Sequence, residues 1–187
     1  MPGSFATFIF VNLYFVNENE VMSGLLVGSS VDNSLSMPRR LLIRTADFFY
    51  HITSRSNNRE WFDLGLEEVW KLATSALCYG EEKVSVKISA FVLMSNHYHL
   101  LIRTPNANID EFMKHFNKKF SDELRKRTGR INRMFGGRYK WSIIKNLSHL
   151  YNVYRYIYQN PLRASLVFKC EEYPFSTLYY KVNNKRF

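Results

Sequence analysis

Cysteine is scarce in this 187-residue chain: only Cys78 and Cys170. Two are too few for a disulfide-held secreted scaffold, and they lack the paired spacing of a zinc site. Reduced thiols in a cytoplasmic protein are the expectation. Long apolar runs are absent too, since nothing approaches the roughly 18 residues needed to cross a bilayer. The stretch from Phe5 to Val16 is apolar, but Asn12 interrupts it and no basic residue precedes it. It makes a poor signal peptide. Positive charge is missing from the start of the chain: no Lys or Arg occurs before Arg39, whereas Glu18, Glu20 and Asp32 do. There is no internal repeat and no low-complexity segment.

What is present is a globular composition, 46% hydrophobic and 16% aromatic, with a formal net charge of +10. Such a chain has ample apolar content for one folded core and is not of the disordered class. Because all 26 Lys and Arg residues follow position 38, the surplus is concentrated in the remainder of the chain. A basic excess of that size points to a polyanion partner, nucleic acid first. Residues 1–36 end in a Gly/Ser/Asn-rich segment from Gly28 to Ser36 and then meet Met37-Pro38-Arg39-Arg40. The composition shift predicts a leader or extension over 1–36 and a folded domain over 37–187, with Met37 as a possible original start. The competing reading is an element of residues 1–36 that caps the domain.

From Met37 onward the elements alternate. Phe48 to Ser54 is aromatic and β-branched, a strand by propensity. Phe62, Leu66, Val69, Trp70, Ala73, Ala76 and Leu77 form one helical stripe over 59–79, which Gly80 is expected to end. Val84 to Met94 reads as a strand, turned by Ser95-Asn96 into a second strand, Tyr98 to Arg103, at a hairpin edge. Asn108 and Glu111 suggest a capping box for a helix running to about Arg127, stopped by Gly129. Phe135 to Lys145 is a glycine turn and a strand. A last helix is expected to be capped by Ser148 and to end before Pro161, because the residue before proline avoids helical angles. Strand, helix, strand, strand, helix, strand is the split βαβ order of a ferredoxin-like α+β fold, an antiparallel sheet with an added C-terminal helix.

The chemistry centres on Met94-Ser95-Asn96-His97-Tyr98-His99. Strand side chains alternate faces, so His97 and His99 share one side and Tyr98 faces the core. Two imidazoles on one face are half of a metal site and need one or two further ligands from another element. A bare His-x-His also occurs as exposed or packed histidines. On the last helix, Leu150, Tyr151, Val153, Tyr154, Ile157 and Tyr158 fall on one apolar arc at about 100° per residue. Tyr156 and Asn160 fall off it, neighbours at i, i+4 spacing. They are either an amphipathic surface pair or a hydroxyl and an amide presented to one point.

The stretches FYHITSRSNNR, FVLMSNHYHLLI, FGGRYK and YRYIYQNPLRASLV, with the trailing YPFS, resemble the single-tyrosine HUH transposases. Among these, the similarity is to REP-associated tyrosine transposases, relatives of the small insertion-sequence transposases. It runs from Met37 to about Leu178. The resemblance implies that His97 and His99 bind a divalent metal, Mg²⁺ or Mn²⁺, with Asn160 as third ligand. Ligand type alone would allow Zn²⁺ as well. It implies that Tyr156, on the C-terminal helix, is the nucleophile that cleaves and rejoins single-stranded or hairpin DNA through a 5′-phosphotyrosine. Family relatives occur both as monomers and as dimers, so neither state is favoured. Candidate DNA contacts are Arg39, Arg40, Arg55, Asn57, Arg59, Lys114, Lys118 and Arg138. For the lysines along the second helix, the plainer reading is a solvated face. Ser56 stands where the family's loop usually has glycine, which implies a backbone less free to approach DNA. Leu162 and Ser165 are mild departures in the Asn-Pro motif. The alternative function is a non-catalytic nucleic-acid-binding relic of a transposase, and a different metal-dependent hydrolase is a more distant reading.

Overall fold

Alternating burial defines the first strand, β1 (Phe49–Arg55): Tyr50, Ile52 and Ser54 are buried on one side, while Phe49, His51 and Thr53 line the other. The structure, a computed structural model, describes residues 41–185. The leader expected over 1–36, together with Arg39 and Arg40, lies outside the described residues. Strands β2 (Lys87–Leu93), β3 (His97–Arg103) and β4 (Lys140–Ile144) complete one sheet in the order β2-β3-β1-β4, with every pairing antiparallel. With α1 (Leu66–Lys83) between β1 and β2 and α2 (Ile109–Thr128) between β3 and β4, this is the expected ferredoxin-like α+β arrangement. The added helix α3 (Leu147–Arg163) and a short α4 (Thr177–Val182) follow.

One face of the sheet packs on α1 and α2. Tyr50, Ile52, Phe91, Tyr98, Leu100 and Ile102 meet Val69, Leu77, Phe112, Phe116 and Phe120 there. Phe112, Phe116 and Phe120, spaced by four, stack successively along α2. The opposite face is covered by α3, where Val92, Leu101 and Ile144 meet Val153, Ile157 and Tyr158. A bulge at Ser89 turns its carbonyl toward α3, and the Tyr154 hydroxyl donates to it at 3.0 Å. The free edge of β2 is covered by the C-terminal segment: Leu93 N–H bonds the Phe175 carbonyl and Phe91 N–H bonds Thr177 Oγ1. The trailing YPFS stretch therefore closes a sheet edge.

Several local expectations are corrected. Gly80 does not end α1; it lies buried inside it, where a Cβ would sit 2.7 Å from Phe112 Cε2, so its role is close helix approach. β2 starts at Lys87 rather than Val84, while the expected hairpin with β3 is present and the histidines open β3 beside its turn, in the interior of the sheet. Asn108 precedes α2 but makes no capping bond; its amide instead donates to Glu111 Oε2 at 3.1 Å. Gly129 does end α2, at φ 68. The cap of α3 is Asn146, whose Oδ1 accepts from His149 N–H at 2.8 Å, not Ser148.

α3 also continues through Pro161 to Arg163. The reason lies one residue earlier. Pro161 has no N–H to give the Ile157 carbonyl, and the Asn160 side-chain amide donates to that carbonyl at 3.3 Å and to Tyr156 at 2.7 Å. Tyr151, expected on the core arc, is exposed. Ser56 adopts φ −56, ψ 154, an extended conformation open to any residue, so a side chain in place of glycine costs nothing there.

Candidate active site

β3 and α3 meet through the face that carries the histidines. His97 and His99 have ring centroids 5.1 Å apart, and Tyr156 packs edge-on to His99 at 5.5 Å. The two elements thus bring together three of the four residues singled out in the sequence. Tyr156 is 39% exposed whereas His99 is only 4% exposed, so the phenol lies at the mouth and the imidazole at the floor. Asn160 is one turn further along α3, with its amide nitrogen committed to backbone carbonyls. Only its Oδ1 is left to serve a ligand. Arg163 adds a guanidinium 5.4 Å from the Tyr156 ring centroid.

A residue absent from the sequence reading completes the cluster. His51, on β1, shares the face of His99: its Nε2 lies 3.1 Å from His99 Nδ1, and its ring stacks on His99 at 5.3 Å and meets Tyr156 edge-on at 5.8 Å. The antiparallel register opposes Thr53 to His99, which leaves His51 diagonal to it. The available signal was its position in FYHITS, on the non-core side of an alternating strand.

All three imidazoles are held neutral. Burial, then the neighbouring His51, His97 and Arg55, pushes His99 down to about 3. Burial and Arg55 take His97 to about 4, and burial and His149 take His51 to about 4. Neutral imidazole is the form that offers a lone pair to a metal. His99 Nε2 is buried without any hydrogen-bond partner, an orphaned atom that a metal ion would satisfy. Among the described residues no group of three His, Cys, Asp or Glu side chains is placed to hold a metal. A site built on the imidazoles here would draw its further donors from other groups, such as an amide oxygen, water or a bound phosphate.

A rim of backbone bonds surrounds this end of the sheet. Ser56 N–H bonds the Asn96 carbonyl, Asn57 N–H bonds Met134, and Gly136 N–H bonds the Arg55 carbonyl. The rim draws Arg55, Asn57 and Arg59 to the histidine end, with Arg55 and Arg59 exposed, while the exposed Arg138 lays its guanidinium 5.5 Å from the ring centroid of Tyr139, which packs on the helix side of the sheet. Lys114 and Lys118 are placed elsewhere: α2 lies on the sheet face opposite the histidines, and Lys118 is paired with Asp122 at 2.6 Å. Lys119, Arg125, Lys126 and Arg127 are likewise in ion pairs.

The model of a family described as IS200-like transposases matches residues 45–160, a span that holds His51, His97, His99, Tyr156 and Asn160. The chain belongs to the IS200-like transposases. This transposase is also similar to a solved structure of a REP-associated tyrosine transposase bound to a REP hairpin. That match has a TM-score of 0.66 and 22% identity, covering 80% of this chain and 86% of that one. At that identity the likeness concerns the fold. A putative transposase from Deinococcus radiodurans R1 aligns at 15% identity and TM-score 0.44, over 66% of this chain and 95% of that one. No curated protein matches the sequence. No helix of the transposase among the described residues is long and apolar enough to cross a membrane.

Proposed function

We propose that this transposase cleaves and rejoins single-stranded, hairpin-bearing DNA by covalent catalysis, with Tyr156 as the nucleophile. The observation that carries the reading is the packing of Tyr156, the tyrosine off the apolar arc of α3, edge-on against two neutral histidines of neighbouring interior strands, His99 of β3 and His51 of β1. Tyr154 and Tyr158 are occupied structurally, by the Ser89 carbonyl and Thr177 Oγ1, so neither phenol is free to react.

Tyr156 Oη attacks the phosphorus of a phosphodiester; the new O–P bond forms as the bond to the 3′ oxygen breaks. The products are a 5′-phosphotyrosine and a free 3′-hydroxyl: the phenol gives its proton to solvent, which the partly exposed Tyr156 reaches, and the departing 3′ oxygen takes one up from solvent. The reverse attack by a second 3′-hydroxyl completes transfer with the phosphodiester energy conserved. Arg163, beside the Tyr156 ring, is positioned to offset the negative charge of the incoming phosphate.

His97, His99 and Asn160 are the residues that would hold a divalent cation, Mg²⁺ or Mn²⁺. Two imidazole nitrogens suit Mn²⁺ better than Mg²⁺, which prefers oxygen. Such an ion supplies Lewis-acid polarisation of the phosphate, help that a phenol of pKa about 10 requires near neutrality. The DNA partner is read from the basic rim and from the REP hairpin bound by the structurally similar transposase.

The test is incubation of the full-length protein with a hairpin-bearing single strand and Mn²⁺ or Mg²⁺, followed by denaturing electrophoresis. A covalent protein–DNA band is expected. Tyr156→Phe removes it and keeps DNA binding, while Tyr158→Phe retains it. A protein that binds the hairpin and never forms the adduct would be a binding relic. Loss of the band in Tyr158→Phe but not in Tyr156→Phe would assign the wrong face of α3.

A further inference from the structure

Each site histidine is hydrogen-bonded through Nδ1 to a different neighbour. His97 Nδ1 lies 2.8 Å from Asn96 Oδ1, and Asn96 Nδ2 donates to the Arg59 carbonyl at 2.8 Å. The second bond fixes which way the amide faces. An amide oxygen only accepts, so His97 carries its proton on Nδ1 and keeps a lone pair on Nε2. For His99 the partner is His51 Nε2, at 3.1 Å. If His51 donated, the His99 proton would sit on Nε2, which is buried and has no partner. A buried N–H left unpaired forfeits its hydrogen bond to water with nothing in return. The other arrangement has His99 donating from Nδ1 to His51 and leaves the Nε2 lone pair exposed to a ligand.

We infer that Asn96 and His51 are positioning residues that lock His97 and His99 in the same tautomer, so that both rings present Nε2 to one divalent cation. The inference rests on reading the histidine pair as metal ligands and deepens it. Partners at the remote nitrogen of a ligating imidazole fix the ring's orientation and raise its basicity. Here the two partners come from different places: Asn96 from the β2–β3 turn, already bonded to the rim loop, and His51 from the neighbouring strand. The competing role for His51 is direct coordination, since two nitrogens 3.1 Å apart can share one ion.

The test reads tautomers in the full-length, ¹⁵N-labelled, metal-free protein at neutral pH by long-range proton–nitrogen correlation. His97 and His99 are both expected as Nδ1–H. His51→Phe should release His99, and Asn96→Ala should release His97, into mixed tautomers. The Mn²⁺ dissociation constant should rise about 10–100-fold in each. His51→Gln and Asn96→Asp keep an acceptor at the same place and should recover most of that loss. A wild-type His99 protonated on Nε2 would overturn the inference without need of any variant. So would unchanged tautomers and affinity in His51→Phe and Asn96→Ala, or X-ray absorption of the Mn²⁺-loaded protein showing a third imidazole that His51→Phe removes. Failure to form the Tyr156 adduct would sink the functional reading instead, because the tautomers are read with neither metal nor DNA present.

Discussion

Lowering the pH from 7 to 5 should leave Mn²⁺ binding almost unchanged, and the contrast with ordinary histidines is large. Protons compete with metal for the imidazole lone pair. A ring of pKa about 6.5 loses roughly 25-fold in free-ligand fraction over that interval, so a two-histidine site would weaken about 600-fold, close to 4 kcal/mol. His97 at about 4 and His99 at about 3 are still neutral at pH 5. Their combined loss is about 1.1-fold, and raising both pKa values by one unit brings it only to about twofold. The sign follows from burial: affinity is fully present above the folded-state values and is lost as pH falls through them. Stability has a different window. The unfolded chain takes up these protons near pH 6.5 and the folded chain only near 4, so stability should decline as pH drops between those values. The assay is therefore Mn²⁺ titration by calorimetry or electron paramagnetic resonance at pH 7, 6 and 5, with near-ultraviolet circular dichroism to verify the fold. Weakening of tenfold or more by pH 5 in folded protein would refute the claim that burial keeps the pair neutral.

Gly80→Ala gains about 1 kcal/mol of helix propensity but drives a methyl to 2.7 Å from Phe112, at an overpacking cost of about 1–3 kcal/mol. A melting-temperature drop of a few degrees is expected, and a rise would show that Phe112 yields. Ser165→Gly should stabilise by about 0.5–1 kcal/mol, because Ser165 sits at φ 55 just past α3, where an L side chain costs about 1–2 kcal/mol and glycine returns part of that as entropy. Denaturant unfolding reads the gain, and a loss would contradict the strain argument. In filter-binding titrations with hairpin DNA across salt concentrations, Arg55→Ala and Arg59→Ala should each lower affinity and cut the log–log salt slope by roughly 0.7–0.9. Lys118→Ala should do neither, and the opposite pattern would place DNA on the α2 side of the sheet.

Local periodicity carried a good part of this molecule. The strand and helix order, the burial of Tyr98 against α2, the shared face of His97 and His99, and the separation of Tyr156 from the apolar arc all follow from periods of two and of about 3.6 along single segments. Those periods state which side chains share a face. They do not state which faces meet, and the errors lie there. Gly80 looks like a helix stop until Phe112 of another helix is seen to occupy the space above it. Pro161 looks like a helix end until the Asn160 amide is found on the carbonyl that proline leaves bare. Tyr151 lies on the apolar arc by angle, yet it remains exposed.

The site divides in the same way. His97, His99 and Tyr156 were legible because spacing puts the two histidines on one strand face and the tyrosine off the apolar arc, and the family resemblance then singles them out. His51 was not, because its place beside His99 depends on the register between β1 and β3, a pairing of residues 48 apart in sequence. The basic residues were legible as a class but not as a surface. Tertiary structure gathers Arg55 and Arg59 at the histidine end and sends Lys114 and Lys118 to the other side of the sheet. Sequence determined the elements and the chemistry each one carries. Only the pairing of strands and the packing of α3 decided which of those groups meet at one point, since contacts between distant segments depend on the whole core closing together.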